Sequence, residues 1–213
     1  AHGLLAYKGS KITKEIIAKK AIYWEREYLK EKGGYQDQLF ASYGGFNQII
    51  FNENGKYNVK EFPITKKLYS ELIQRSVLCY LPNKRFSHLT SVENYLDQEK
   101  TIENLIKIKN TVNIAIDLFK SSDINSIGEL LYESWKYKRE IPNVSNQFID
   151  DVYSTAIKNG AIGGKLLGAG KGGFMFFICK KNAKKKLVKS LYPLITLDID
   201  IDQQGSKLIY SNK

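Results

Sequence analysis

Gly160-Ala-Ile-Gly163-Gly164-Lys165-Leu-Leu-Gly168-Ala-Gly170-Lys171-Gly172-Gly173 packs seven glycines into fourteen residues and runs directly into Phe174-Met-Phe-Phe-Ile-Cys179. The continuous apolar run reads as a central strand, and the residues before the glycines read as a helix. The stretch is therefore a helix-to-strand connection. One or two glycines would serve such a connection. Seven give a main chain that can adopt positive φ and approach a ligand closely, with successive N–H groups forming an anion nest. A ligand-facing loop is the expectation. No G-x-x-x-x-G-K-[ST] can be written here, and the dinucleotide fingerprint requires a helix where this stretch leads into a strand.

Working outward, Lys184 to Lys186 lead into a helix carrying Leu187, Val188 and Leu191. Leu197, Ile199 and Ile201 then alternate with Asp198, Asp200 and Asp202, the pattern of a half-buried strand. That alternation resembles the start of a calcium loop but lacks its glycine and its closing glutamate, so the aspartates read as a wet strand face. Upstream, Phe148–Ile157 forms a helix with Ser145 or Asn146 as cap, and Ile127–Trp135 forms another. Leu105, Ile108, Val112, Ile116 and Phe119 make a helical stripe, and Ser76–Leu81 is a short buried strand. At the start of the chain, Ile12–Leu29 is helical, with Ile17, Ala21, Trp24 and Tyr28 on one face and Gly33-Gly34 ending it. A loop over Tyr35–Asn47 precedes a hairpin of Gln48–Phe51 and Tyr57–Phe62 around Asn52-Glu-Asn-Gly55. Pro63 closes the hairpin, and Thr65-Lys66-Lys67 is the domain boundary, giving domains of residues 1–66 and 67–213. Strands and helices interleave in both, so the class is α+β or α/β.

A chain of 213 residues with 43% apolar and 26% charged residues is long enough to build its own core. No apolar run approaches the ~20 residues of a membrane span. Cys79 and Cys179 stand far apart in apolar runs and read as buried free thiols of a reducing, cytoplasmic compartment. The net charge of +11 attracts anions: nucleic acid, nucleotides or phosphorylated metabolites. The densest basic run, Lys180, Lys181, Lys184, Lys185 and Lys186, reads as a solvated helix face rather than an anion patch. It has no interleaved aromatics, which argues against a nucleic-acid partner. His2 and His88 are isolated, without metal-ligand spacing. No G-x-S-x-G occurs, so hydrolase chemistry through a serine nucleophile has no support.

The acids are more informative. Asp37 stands between Gln36 and Gln38 in a glycine-flanked segment, with Tyr43-Gly44-Gly45-Phe46 after it. A carboxylate in that setting suits a base held close to a substrate hydroxyl, although an aspartate beside glycines is also a turn former. Glu25 and Glu27 lie on the preceding helix. One acid to accept a proton and another for a hard cation is what phosphoryl transfer asks for.

Gly34-Tyr-Gln-Asp37-Gln38, Tyr43-Gly-Gly-Phe-Asn47 and Gly164-Lys-Leu-Leu-Gly-Ala-Gly-Lys-Gly-Gly173 together resemble the GHMP family of small-molecule kinases. The heptose 7-phosphate kinase branch is the nearest in pattern, with a turn like Lys84-Arg85-Phe-Ser87 after the strand Leu78-Cys-Tyr and an ending like Gly205-Ser-Lys-Leu-Ile-Tyr210. The resemblance implies an α+β, two-domain GHMP kinase fold: part of a ribosomal S5-like N-terminal domain in residues 1–66, and a ferredoxin-like C-terminal domain in 67–213. It implies ATP and Mg²⁺ as cofactors, and transfer of the γ-phosphoryl to the anomeric hydroxyl of D-glycero-D-manno-heptose 7-phosphate. Asp37 takes the place of the catalytic aspartate and Glu25 that of the Mg²⁺-holding acid, with Glu27 as the alternative. Gly34, Gln36, Gln38, Arg85, Gly168, Ala169, Gly170, Gly172 and Gly173 take substrate- or phosphate-binding places. Lys171 either adds charge at the phosphates or points to solvent. The implied partners are a sugar phosphate and ATP, with no nucleic acid and no membrane.

One departure stands out. The family's P-x-G-[SL]-G-L-[GS]-S-S-S loop, which wraps the ATP phosphates, is missing, and Ala1–Lys8 look like the helix that follows it. The expectation is an N-terminally truncated kinase, inactive as this chain alone. The rival readings are a kinase for another sugar such as fucose, a non-catalytic binding protein of the same fold, and a nucleic-acid binder suggested by the charge.

Overall fold

The chain begins with a short helix α1 (His2–Tyr7) and then α2 (Lys14–Ile22), whose start is fixed by Thr13: its hydroxyl accepts the Ile16 N–H at 3.1 Å. A computed structural model describes residues 1–31, 33–82, 99–168 and 170–209; Arg85, His88 and Ala169 lie outside the described residues. The chain divides into two compact units, Ala1–Pro63 with Asp200–Lys213, and Ile64–Ile199. The sequence boundary cuts once, after residue 66; the structure divides after Pro63 and again after Ile199.

In the first unit α2 continues into a π-helical turn, Tyr23–Tyr28. The predicted helix is present, but its apolar stripe is not continuous. Ile17 is buried, whereas Trp24 is 45% and Tyr28 67% exposed. A π turn takes an extra residue per turn and so breaks the three-and-four spacing on which the stripe was counted. It brings Glu25 and Arg26 to half-buried positions instead. The predicted loop over Tyr35–Asn47 contains a helix, α3 (Gln36–Tyr43), which packs on α2 and carries the fully buried Leu39. The hairpin forms as expected, β1 (Asn47–Phe51) antiparallel to β2 (Tyr57–Glu61), with Phe51 opposite Tyr57. Residues after Asp200 return to this unit. The Gly45 N–H donates to the Asp202 carbonyl at 2.6 Å. Gly44 and Gly205, both left-handed, cross so closely that a Cβ on Gly44 would lie 2.1 Å from the Gly205 nitrogen.

The second unit opens with α4 (Lys66–Arg75), capped by the Thr65 hydroxyl accepting the Leu68 N–H at 3.1 Å. The sequence reading placed only a boundary there. Then come β3 (Ser76–Leu81), α5 (Glu99–Ser121), α6 (Ile124–Arg139), α7 (Gln147–Lys158), β4 (Ala161–Leu166), β5 (Gly173–Cys179), α8 (Lys184–Ser190) and β6 (Thr196–Leu197). Asn146, not Ser145, caps α7. The strands form one antiparallel sheet in the order β4-β5-β3-β6, with β5 central as its apolar run required. Trp135, Ile149, Tyr153, Ala156 and Leu187 from the helices pack on Val77, Cys79, Met175 and Phe177 of the sheet in a single core. The last strand is shorter than its alternation suggested. Only Thr196 and Leu197 pair with β3, and Asp198 leaves the sheet to meet Lys184 at 2.7 Å.

The glycine-rich stretch is not one loop. Gly163 and Gly164 lie within β4, and both are required by packing. A Cβ on Gly163 would meet the Gly128 carbonyl oxygen of α6 at 2.1 Å, and one on Gly164 the Phe176 carbonyl oxygen at 2.3 Å. Two of the seven glycines therefore report close packing, Gly163 against helix α6 and Gly164 against the neighbouring strand β5, and the connection proper is Leu167 to Gly172.

Candidate functional site

Glu25 and Asp37 come together in the first unit. Glu25 sits on the π-helical turn and Asp37 in the first turn of α3, and both line an open groove of about 820 Å³. Gln38 lines it too and donates through Nε2 to Glu25 Oε2. Arg26 Nη2 lies 3.8 Å from that same oxygen. The guanidinium also ties the π turn to the glycine turn, donating to the Glu31 carbonyl at 3.0 Å and the Gly34 carbonyl at 2.7 Å. Gly33 must be small here: its φ is +137°, and a Cβ would sit 3.2 Å from Arg26 Nη2.

Glu25 is thus fixed by a neutral and a cationic neighbour, while Asp37 is exposed and its carboxylate, among the described residues, forms no hydrogen bond or ion pair. Gln38 is only 6% exposed, yet its Oε1 has no partner among the described residues. Buried acceptors are ordinarily satisfied, so an orphan beside an open groove is notable. Glu27 does not line the groove; it is exposed and pairs with Lys30 at 3.8 Å. Gly34 and Gln36 line a different, smaller pocket with Tyr35, Phe51 and Lys56. The structure gathers Glu25, Asp37 and Gln38 and leaves Gly34 and Gln36 apart from them.

In the second unit, Gly168, Gly170, Gly172 and Gly173 have φ of 72°, 127°, 153° and 102°, and Lys171 joins them at 59°. The conformational freedom expected of this loop is in use. Gly170 presses on Val144, where a Cβ would fall 2.8 Å from the Val144 Cα, and the Lys171 N–H donates to the Val144 carbonyl at 2.9 Å. The first turn of the loop differs from an anion nest. The Leu166 and Gly168 carbonyls both accept from Lys138 Nζ, each at 2.8 Å. Lys138, in the last turn of α6, escaped the sequence reading because its partners are main-chain atoms. Burial pushes its ammonium down to about 8, with the neighbouring Lys165 as the second cause. Burial likewise lowers Lys165.

The remaining candidates have structural surroundings. Cys79 and Cys179 are buried free thiols, and burial raises Cys79 to about 11. His2 bonds Ser206 at 2.9 Å. Among the described residues there is no group of three acidic, histidine or cysteine side chains able to hold a metal, and no helix long and apolar enough to cross a membrane. Lys180, Lys181 and Lys185 line an open groove with Arg75 and Lys184. Arg75 is already committed to Glu71 at 3.1 Å and to the Cys179 carbonyl at 2.9 Å.

Residues 115–192 match the family described as GHMP kinases C terminal. The chain is 38% identical over 181 residues to the D-glycero-alpha-D-manno-heptose 7-phosphate kinase of Campylobacter jejuni, an alignment covering 82% of this chain and 52% of that protein. It is 26% identical to the bifunctional fucokinase/GDP-fucose pyrophosphorylase of Arabidopsis thaliana, over 86% of this chain and 18% of that one. The chain thus spans about half the length, or less, of these curated relatives. Among solved structures, a D-glycero-D-manno-heptose 1-phosphate kinase from Bacteroides thetaiotaomicron superposes with a TM-score of 0.75 at 22% identity, covering 98% of this chain and 60% of that one. The chain shares a mixed helix-and-sheet fold with that kinase, and over residues 115–192 it carries the C-terminal domain of the GHMP kinases.

Proposed function

We propose that the chain is the acceptor-side part of a sugar-phosphate kinase that transfers the γ-phosphoryl of MgATP to the anomeric hydroxyl of D-glycero-D-manno-heptose 7-phosphate. The observation that carries this reading is the unpartnered Asp37 carboxylate on the same groove as the Glu25–Gln38 pair. Asp37 accepts or orients the proton of the anomeric hydroxyl as that oxygen bonds to the γ-phosphorus and the bond to ADP breaks. An exposed, unbonded carboxylate is available for that task without first giving up a partner. Gln38 serves from beside it by holding Glu25, its Nε2 donating to Glu25 Oε2.

Mg²⁺ fits the donor set only in its usual sparing manner. Glu25 offers one carboxylate oxygen besides the one that Gln38 engages, and Mg²⁺ is generally held by one or two carboxylates together with substrate phosphates. When bound, the ion neutralises charge on the transferring phosphoryl. Glu25, rather than Glu27, is the residue for this role, because Glu27 is off the groove. The buried free thiols support a reducing, cytoplasmic compartment, and the net charge of +11 suits two anionic substrates. Likeness to the Arabidopsis protein supports a second reading, a fucose-type acceptor.

A substrate panel with the intact protein, following ADP release, separates the two. A heptose 7-phosphate requirement should appear as at least a hundredfold loss of kcat/KM for the unphosphorylated heptose. Faster turnover of fucose than of the heptose phosphate would replace the first reading with the second.

A further inference from the structure

We propose that Lys138 is a positioning residue for the glycine loop, a role that rests on the kinase reading above. The family resemblance gives Gly168, Gly170, Gly172 and Gly173 of the loop after β4 substrate- or phosphate-binding places. A loop rich in glycine has many conformations to lose on ordering, and something must select one of them. The structure has two anchors for it. On one side Val144 accepts the Lys171 N–H and leaves Gly170 no room for a side chain. On the other, the Lys138 ammonium bonds the Leu166 and Gly168 carbonyls at once, each at 2.8 Å. Because the peptide unit is planar, holding these two carbonyls fixes two peptide planes of the loop's first turn.

The clamp is also electrostatic. Charge-assisted bonds to carbonyls are stronger than neutral ones, and they weigh more where water is partly excluded. No carboxylate pairs with Lys138 or with Lys165 among the described residues, and after burial the charge of Lys165 is the second cause that lowers Lys138. Two cations without counter-ions at the base of the loop leave a net positive potential there, which favours the anionic phosphoryl. The same residue therefore sets the loop's shape and its field.

The test uses the intact protein and the variants K138M, K138R and K136A. Lys136 lies in the same turn of α6 but is exposed and paired with Glu133 at 3.1 Å, so K136A is the control. Hydrogen exchange of the 166–172 backbone is the readout that does not depend on activity. K138M should raise exchange in that segment at least tenfold while the β3 and β5 amides stay protected, and should lower kcat at least tenfold with KM for the sugar changed less than threefold. K138R, which keeps a charge able to meet carbonyls, should recover part of both, and K136A should match wild type. Unchanged loop exchange and unchanged kcat in a folded K138M protein would overturn the proposal. So would equal damage in K138M and K138R that spreads to β3 and β5, since that is a merely structural role. If the wild-type protein phosphorylates no sugar at all, the kinase reading fails, and with it the catalytic part of the role, while the exchange data still decide whether the clamp exists.

Discussion

Alanine at Gly163 should destabilise the sheet unit by about 3 kcal/mol, at the upper end of the usual ~1–3 kcal/mol for overpacking a core. The reason is that both colliding groups are backbone. The new Cβ would lie 2.1 Å from the Gly128 carbonyl oxygen and 2.8 Å from the Tyr132 nitrogen. Ordinary contact begins at 3.4 Å, so α6 would have to retreat from β4 by about 1.3 Å. No rotamer change relieves a clash with main chain, and the retreat would loosen Ile162 from Gly128 and disturb Trp135 in the core. Urea unfolding followed by the fluorescence of buried Trp135 measures the change. At about 2–4 °C per kcal/mol for a chain of this size, the midpoint on heating should fall by roughly 6–12 °C. Gly3→Ala is the matched control. Its Cβ meets nothing within 4 Å, and in helix α1 it should stabilise by up to about 1 kcal/mol. A Gly163→Ala protein within about 0.5 kcal/mol of wild type, a typical surface-substitution effect, would refute the packing account of this glycine.

Three further outcomes are expected. Thr65→Ala removes the cap of α4 and the 2.9 Å bond to Ser122, and should cost about 1 kcal/mol in the same unfolding assay. Arg75→Met strands the Glu71 carboxylate and the Cys179 carbonyl. It should cost about 3 kcal/mol, and Glu71→Gln in the same chain should recover part of it. Burial raises the Cys79 thiol to about 11, above an unfolded value of about 8.5. The folded state therefore keeps a proton that the unfolded state releases, and the stability from Cys79 is complete below about pH 8.5 and declines as pH rises towards 11. Cys79→Ala should flatten that part of the stability–pH curve, and native Cys79 should resist iodoacetamide at pH 8 until the chain is unfolded.

Legibility followed the size of the periodic signal. β3, β5, the hairpin and the helices α6 and α7 could be read because their apolar residues recur over enough length to define a face. Helix α3 could not, because Leu39 is its single large fully buried side chain and its first turn is Gln36-Asp37-Gln38. For α4 the signal existed: Thr65 as cap, then Leu68 and Leu72 four apart. The lysines at its start outweighed it. Composition also could not separate glycines that make room for α6 from those that shape a loop. Gly128, a glycine inside a helix, was the available sign of close approach. As for the candidate site, Asp37 and the pair Glu25 and Glu27 stand out from the residues alone, the resemblance chooses between the two glutamates, and the groove shared by Asp37 and Glu25 depends on a π turn that no periodicity reveals. Gln36 is a neighbour of Asp37 in sequence but lines another pocket, because residues in the first turn of a helix point in different directions, and Gly34, which lines that pocket too, precedes the helix. Lys138 left no sequence signal, since it bonds main-chain carbonyls that every residue carries.

The central claim is that Asp37 handles the acceptor hydroxyl in phosphoryl transfer. Steady-state ADP release by the intact protein with heptose 7-phosphate, wild type against Asp37→Asn, tests it most directly. Because the Asp37 carboxylate is exposed and has no partner among the described residues, the variant should unfold at the wild-type temperature and still bind ATP. Its kcat should fall by a factor of roughly 10² or more, as for loss of a general base. Turnover within a factor of two of wild type would contradict the account.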